Sequence, residues 1–382
     1  MTTVFDRRGA VARRAFLQTS AAALSASALP LTAWAQTAAP AASVNRTFTP
    51  TPGTWRTFEV TTRVDIAKPQ GATKVWLPIP SINSDWQRSL ESSYSSNGQT
   101  KMSVDGKYGA RMLQVEFAAA EPQPFVELTS RVQTQNRAQD LSTKGDRAAL
   151  DASDLQFWQR ATALLPTDGI VRETAIEATR GAKTDVEKAQ AIFNWVVTNT
   201  YREPKVRGCG EGDIKTMLET HNLGGKCADL NALFVGLCRA VGLPARDVYG
   251  IRLAPSTFGY RELGGNPSSL KGAQHCRAEV YLAGHGWVAM DPADVAKVMR
   301  QEAPHWIKNT AHPLVAAVNK GLFGGWEGNW MAYNHAHDLR LPGATGGQLG
   351  FFMYPVAETA AQRLDSYAPD DFRYQITARE IV

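Results

Sequence analysis

Gly224-Gly225-Lys226-Cys227-Ala228-Asp229-Leu230 is the stretch that decides the fold. Two glycines make a tight, open approach, and an apolar helical period starts directly after them. Leu230, Leu233, Phe234, Leu237 and Val241 follow the i, i+3, i+4 spacing of one helix face. Gly242 supplies a C-terminal stop and Pro244 reinforces it. Cys227 therefore stands at the start of a buried helix. The positive end of the helix dipole favours negative charge there, so the thiol is expected to ionise more readily than a free one. Its backbone N–H points to where an oxyanion would form. The bland alternative is a buried structural cysteine, which is what a lone Cys usually is. The Gly-Gly-Lys lead-in and the helix-start position weigh against it.

A second informative stretch is Gln274-His275-Cys276-Arg277-Ala278-Glu279-Val280-Tyr281-Leu282. Cys276, Ala278, Val280 and Leu282 share one strand face and are expected to point into the core. His275, Arg277, Glu279 and Tyr281 share the other. On this alternation Cys276 is expected to point away from Cys227. A glycine-rich turn, Ala283-Gly284-His285-Gly286, leads to a return strand, Trp287 to Asp291, stopped by Pro292. The hairpin brings Asp291 back toward His275. An apex at residue 283 would place the two directly opposite, whereas the glycines favour a later apex and hence a bulge or a diagonal contact. The spacing leaves that register open. Thiol chemistry needs a base, for which imidazole is suited near neutral pH. The imidazole in turn needs a carboxylate to fix its tautomer and orientation.

Gly224-Gly225-Lys226-Cys227-Ala228-Asp229 with Leu233, Cys238-Arg239, Gly242 to Arg246 and Gly250 resembles the cysteine block of the transglutaminase-like superfamily. His275, Glu279 to Leu282, Gly286-Trp287-Val288 and Asp291-Pro292 resemble its histidine–aspartate block. The resemblance spans roughly residues 150–300. It implies an α+β fold with a papain-like transglutaminase core, in which a nucleophile helix packs on an antiparallel sheet. It also implies a Cys-His-Asp triad with Cys227 as nucleophile, His275 as base and Asp291 as orienter, acting through a thioester. Members often carry an aromatic residue two places after the histidine. Here that residue is Arg277, which bears on substrate preference rather than on the triad. Relatives can draw a second oxyanion donor from an upstream Trp or polar side chain, so Trp195, Tyr201 and Arg277 are candidate oxyanion or substrate contacts. For Trp195, on an amphipathic helix, core packing is the simpler role. Asp229 is expected to cap the helix or hold the neighbouring loop, and Arg246 to form a salt bridge behind the site.

Upstream, Phe58, Val60, Val64 and Ile66 alternate with polar residues, as in a half-buried strand. Residues 74–78, 111–117 and 125–134 repeat the theme between Gly-, Pro-, Ser- and Asn-containing turns. Residues 48–138 therefore read as an antiparallel β-sandwich domain. Helices are expected at 154–165 and 168–178, and Thr184 with Glu187 forms a capping box that opens a third. The domain reading is a targeting segment at 1–35, a linker at 36–47, the sandwich at 48–138, a catalytic domain at 150–300 and a C-terminal extension at 301–382 that packs on the core.

The 382 residues carry a formal charge of +5. In the first 35 residues Arg7, Arg8, Arg13 and Arg14 oppose only Asp6, a surplus of three, which leaves +2 for the remainder. That balance points to neither a nucleic-acid nor an anionic-membrane partner. Arg13-Arg14-Ala15-Phe16-Leu17, an Ala-rich run and Ala33-Trp34-Ala35 resemble a cleaved twin-arginine signal peptide. The expected location is periplasmic or secreted, with no stable membrane span after processing. An exported protein can hold disulfides. Cys227 and Cys238, however, lie about 16 Å apart along one helix, out of disulfide reach. Pairing of Cys209 with Cys238 or Cys276, or unpaired thiols, both remain open.

In the extension, Gly324 to Trp330 is dense in glycine and tryptophan, which favours packing over a substrate groove. His335-Ala336-His337-Asp338 lacks an apparent third ligand, so neither a metal nor another cofactor is expected. Three functions compete. The first is hydrolysis of peptide or amide bonds by a cysteine peptidase or amidase, possible cell-envelope substrates included. The second is protein crosslinking, in which an amine takes the same acyl group. The third is a non-catalytic module that binds peptide or cell-wall polymer. The intact triad argues against the third, and the absence of a calcium motif tilts the first two toward hydrolysis.

Overall fold

Residues 56–65 and 125–134 alternate buried and more exposed side chains, and the computed structural model shows what that alternation builds. It describes residues 46–143 and 145–381. The targeting segment and nearly all of the linker lie outside the described residues. Six strands come first: β1 (Arg56–Asp65), β2 (Thr73–Ile79), β3 (Gln87–Ser96), β4 (Gln99–Val104), β5 (Arg111–Phe117) and β6 (Phe125–Thr134). They form two antiparallel sheets. Phe58, Val60 and Val64 of one sheet share a hydrophobic cluster with Val75, Leu77 and Val115 of the other. Burying each such side chain contributes roughly 1.5–3 kcal/mol.

A two-residue strand, β7 (Arg137–Ala138), leads into three helices: α1 (Ala152–Gln159), α2 (Gly169–Ala178) and α3 (Asp185–Asn199). The first is shorter than the expected 154–165, because the chain turns extended at Arg160. The capping box of α3 is present, with Thr184 accepting from Glu187 N–H and the Glu187 carboxylate from Thr184 N–H. Next come β8 (Tyr201–Arg202), α4 (Ile214–Glu219), β9 (Gly224–Gly225) and α5 (Cys227–Ala240). Every residue of α5 is buried, as expected of a helix surrounded on all sides. It ends where the sequence demands, with Gly242 at φ +82°.

Helix α5 packs on an antiparallel sheet made of β10 (Ala245–Arg252), β11 (Gln274–Leu282) and β12 (Gly286–Met290). Helices α2, α3 and α6 (Pro292–Lys297) pack against α5. The remaining strands are β13 (Gly325–Trp326), β14 (Trp330–Asn334), β15 (Val356–Glu358) and β16 (Tyr374–Ile381).

Residues 301–382, expected as an extension laid on the core, are woven into the sheets instead. β14 joins β10 at the edge of the α5 sheet, β15 joins β2, and β16 joins β1. The physical reason is the edge: each of these strands would otherwise present unpaired N–H and C=O groups. Among the described residues no helix is long and apolar enough to cross a membrane.

Candidate active site

The start of α5 is fixed by one buried carboxylate. Asp229 Oδ2 accepts from Lys226 N–H at 2.8 Å, and its Oδ1 accepts from Glu211 and Gly212 N–H at 2.9 Å each. Asp229 thus caps the helix and clasps the glycine loop before it. Gly210 lies at φ +89°, and a Cβ there would stand 1.8 Å from that carboxylate, so only glycine fits. Ala228 N–H donates to Cys209 O at 2.9 Å, which brings the Cys209 loop against the helix start. The Cys227 N–H is among the first four of the helix, which have no intrahelical acceptor.

On β11, His275 lies opposite Gly250 of β10. A side chain at 250 would meet Met331 O at 2.1 Å and the Trp330 ring at 2.4 Å. Its absence lets the Trp330 indole cross the sheet and donate to His275 O at 3.0 Å. The hairpin pairs Leu282 with Gly286 and Ala278 with Met290, so its apex is residue 284, at φ +84°. One step further along that register puts Arg277, not His275, across from Asp291. The contact is therefore diagonal: His275 Nε2 lies 2.7 Å from Asp291 Oδ2. The chain leaves the strand at Asp291, which caps α6 by accepting from Asp294 N–H at 3.1 Å. Asn231 of α5 also donates to Asp291 Oδ1, at 3.2 Å, and to Cys276 O, at 2.8 Å. A second carboxylate, Asp294 Oδ2, lies 3.3 Å from His275 Nε2. With Nε2 held by carboxylates, Nδ1 is left for the thiol.

Cys227, His275 and Asp291 are all buried. Burial alone would push the Cys227 pKa up, but hydrogen bonds from Cys209, Cys276 and His275, and the His275 charge, hold it well below the ordinary thiol value. For His275, burial and the Arg252 guanidinium oppose protonation. Asp294 and Asp291 outweigh them and raise its pKa to about 9. The two directions together favour a thiolate–imidazolium pair at neutral pH. Cys209 is pushed up, foremost by its hydrogen bond with Cys227. Cys276 is pushed up by burial and by the same thiol partners. The negative charge is thus confined to one sulfur of three.

This thiol cluster corrects the expectation that Cys276 points away from Cys227. Both faces of β11 are buried, and α5 packs against its first residues, so adjacent side chains reach Cys227 from either side of the strand. All four cysteines are free thiols. Cys209 Sγ accepts from Tyr354 Oη at 3.1 Å and donates to Gln274 O at 3.2 Å.

The other candidates are placed as follows. Arg277 is buried behind Asp291, 3.6 Å from its Oδ2, and sits over the rings of Trp326 and Trp330. Its Nη1 donates to Glu327 O at 3.0 Å. Burial lowers its pKa to about 10 against the pull of Asp291. The structure thus puts it on the carboxylate side of His275, not in the pocket over the thiol. Trp195 packs against the core from α3 and is not among the residues lining that pocket. Tyr201 does not line it either. Its ring covers Gly224, where a Cβ would stand 2.5 Å away, so it supports the strand that leads to Cys227. Arg246 bonds Glu279 at 2.6 Å, the expected salt bridge. His335 Nδ1 bonds Asp247 O at 2.9 Å, and His337 Nε2 lies 3.1 Å from Asp247 Oδ2.

Asn231, Asp294 and Arg252 are site residues with no mention in the sequence reading, and Cys209 and Trp330 were given only disulfide or packing roles there. Asp294 was findable, because an Asp three residues after an N-cap Asp-Pro sits in the same first helical turn. His275, Asp291 and Asp294 place ligand atoms within 4.8 Å of one another. Arg252 already pairs with Asp294 at 2.6 Å and Arg277 approaches Asp291. Two guanidinium groups thus occupy the charge that a metal ion would need.

A thiol, an imidazole and a carboxylate joined across a helix start and a hairpin define a candidate cysteine-nucleophile centre. A family model described as the transglutaminase-like superfamily matches residues 172–292. An uncharacterised Haemophilus influenzae protein is 35% identical over 347 residues, covering 85% of this chain and 91% of its own. The chain belongs to the transglutaminase-like superfamily. Among solved structures, a Cytophaga hutchinsonii protein provisionally named a cysteine protease is 14% identical, with a TM-score of 0.49, covering 86% of this chain and 99% of its own. The periplasmic domain of TgpA from Pseudomonas aeruginosa is also 14% identical, with a TM-score of 0.31, covering 60% of this chain and 92% of its own.

Proposed function

We propose that this protein is an exported, cysteine-dependent acyl-transfer enzyme that hydrolyses peptide or amide bonds, with Cys227 as nucleophile, His275 as acid and base, and Asp291 as its orienter. The observation that carries this reading is the 2.7 Å contact between His275 Nε2 and Asp291 Oδ2, which leaves Nδ1 for a thiol whose pKa is depressed. The Cys227 thiolate adds to the carbonyl carbon, and its own N–H helps hold the oxyanion. The C–N bond then breaks, and the leaving amine takes the proton of the His275 imidazolium. A thioester remains. Neutral His275 next takes a proton from water as that water attacks the thioester, so the acid is released and the thiolate–imidazolium pair is restored. Asp291 stays ionised throughout and stabilises the imidazolium.

The test is incubation of the mature protein with a peptide library in ¹⁸O-water, with and without a primary amine. One ¹⁸O in the new carboxyl group supports hydrolysis. An amine adduct formed in preference to the acid would replace hydrolysis by transamidation. No product, together with a Cys227 that alkylates no faster than a free thiol, would leave a binding module.

A further inference from the structure

The pocket over Cys227 has a volume of about 250 Å³, and its charge is one-sided. Arg202, Lys226, Arg252, Lys271 and Lys297 line it, and among the described residues no carboxylate does. Three of these cations are matched outside the cavity: Arg252 by Asp294 at 2.6 Å, Lys297 by Glu262 at 3.5 Å, and Lys271 by Asp370. Arg202 and Lys226 are not. Arg202 Nε donates only to the neutral amide of Gln301, at 3.1 Å, and Lys226 Nζ has no hydrogen-bond or salt-bridge partner among the described residues.

These two sit together by construction. Arg202 pairs with Gly225 across the parallel β8–β9 bridge, and Lys226 is the next residue and the N-cap of the Cys227 helix. Burial, and then repulsion from Arg202, lowers the Lys226 pKa. Lys297 is lowered to about 8 by burial, with Arg252 and Arg202 adding to it. The Cys227 thiolate is a counter-charge to Lys226 inside the pocket, but it is itself paired with the His275 imidazolium; the surplus of like charge that remains costs free energy that an anionic ligand would relieve. A second observation comes from the same cavity. Gln274 is 5% exposed, lines the pocket beside His275, and its Oε1 has no hydrogen-bond partner. A buried acceptor left open costs about 1–3 kcal/mol unless something donates to it, and a substrate amide N–H would do so. The larger groove of about 850 Å³ adjoins this pocket through Lys271, Pro369 and Tyr374; it is lined by both Asp65 and Asp370 and contains none of the thiols.

We infer that the site selects acyl donors carrying a carboxylate close to the amide under attack, with Arg202 and Lys226 as the selecting residues and Gln274 as acceptor for the substrate N–H. The inference rests on Cys227 being the nucleophile that addresses this pocket. The carboxylate can belong to an Asp or Glu side chain or to a free C-terminus.

The experiment uses the full mature chain and matched peptides that carry Glu or Gln at each position in turn, each made with a free and an amidated C-terminus. The carboxylate-bearing member of the productive pair is expected to show about tenfold higher kcat/KM, a preference that shrinks as salt rises. The double variant Arg202→Gln/Lys226→Gln should bring the ratio close to one, and Arg202→Lys/Lys226→Arg should restore most of it. A side-chain source shows in the Glu/Gln pairs, and a terminal source in the free/amidated pairs. Equal rates across all pairs, or a preference that survives the double Gln variant, would overturn the inference. Peptide affinity for the Cys227→Ala protein, read by fluorescence anisotropy, separates the two proposals. If nothing is turned over but carboxylate peptides still bind more tightly, acyl transfer fails while anion selection stands. If they bind no better than neutral peptides, the inference fails even where turnover is found.

Discussion

Replacing Asp291 with Asn removes one charge beside His275 at nearly unchanged size. Asn is as good an N-cap as Asp, so with its single oxygen in the Oδ1 place it keeps the Asp294 N–H and Asn231 donors; its NH2 group then faces His275 Nε2, where it can donate to a neutral ring but not to an imidazolium. His275 is raised from 6.5 to about 9 against burial and Arg252, by Asp294 first and Asp291 second. That rise corresponds to roughly 3 kcal/mol of preference for the protonated ring. If the two carboxylates share it about equally, Asp291→Asn should bring the His275 midpoint to roughly 7–8. The sign is fixed by chemistry: losing an anion favours the neutral ring, so the imidazolium disappears at lower pH. A titration of ¹³C-labelled histidine by NMR, with His275 assigned by its loss in His275→Gln, reads this directly and needs no substrate. In turnover, the alkaline limb should move down by the same interval, because leaving-group protonation needs the imidazolium. A wild-type midpoint at or below 6.5, or one that Asp291→Asn leaves in place, would refute the electrostatic account of the site.

Iodoacetamide should label Cys227 at a rate already near its plateau at pH 7, whereas Cys209 and Cys276, both pushed up, should resist labelling; equal labelling of the three by peptide mapping would contradict this. Cys227→Ala should abolish turnover while costing only about 1 kcal/mol of stability in urea titrations, a typical value for a point change. Gly250→Ala would drive a Cβ to 2.1 Å from Met331 O and 2.4 Å from the Trp330 ring; it should cost about 1–3 kcal/mol or more as overpacking and disturb activity through His275 O. Arg277→Met leaves Asp291 without its nearby guanidinium, so the His275 midpoint should rise further in the same NMR titration.

The Cys227 helix was legible because every signal agreed: glycines before it, apolar period within it, Gly242 after it. The hairpin was legible as a hairpin, but its register was not, since a shift of the apex from 283 to 284 changes which residue faces Asp291 and no local pattern separates the two. The position of Cys276 was misread because strand alternation assumes one buried face and one open face, while β11 is covered on both. Asn231 and Arg252 look like ordinary polar residues in apolar runs; only tertiary packing gives Asn231 both Cys276 O and Asp291 as partners. The tail was the least legible part. β15 and β16 are short or mixed in polarity, and what makes them strands is an edge supplied by residues near the other end of the chain.

That last arrangement governs the order in which the molecule can be made. Arg56 on β1 meets Glu380 on β16 across 324 residues of chain, so the outer sheet cannot close until everything between has been synthesised. Loops this long slow folding. Meanwhile β1 and β2 each wait with one flank open to any passing strand. A nascent chain halted after Asp291 would hold the thiol, the imidazole and the carboxylate, yet lack Trp330 against His275 and both closing strands, and would be more prone to stick to its neighbours than to fold.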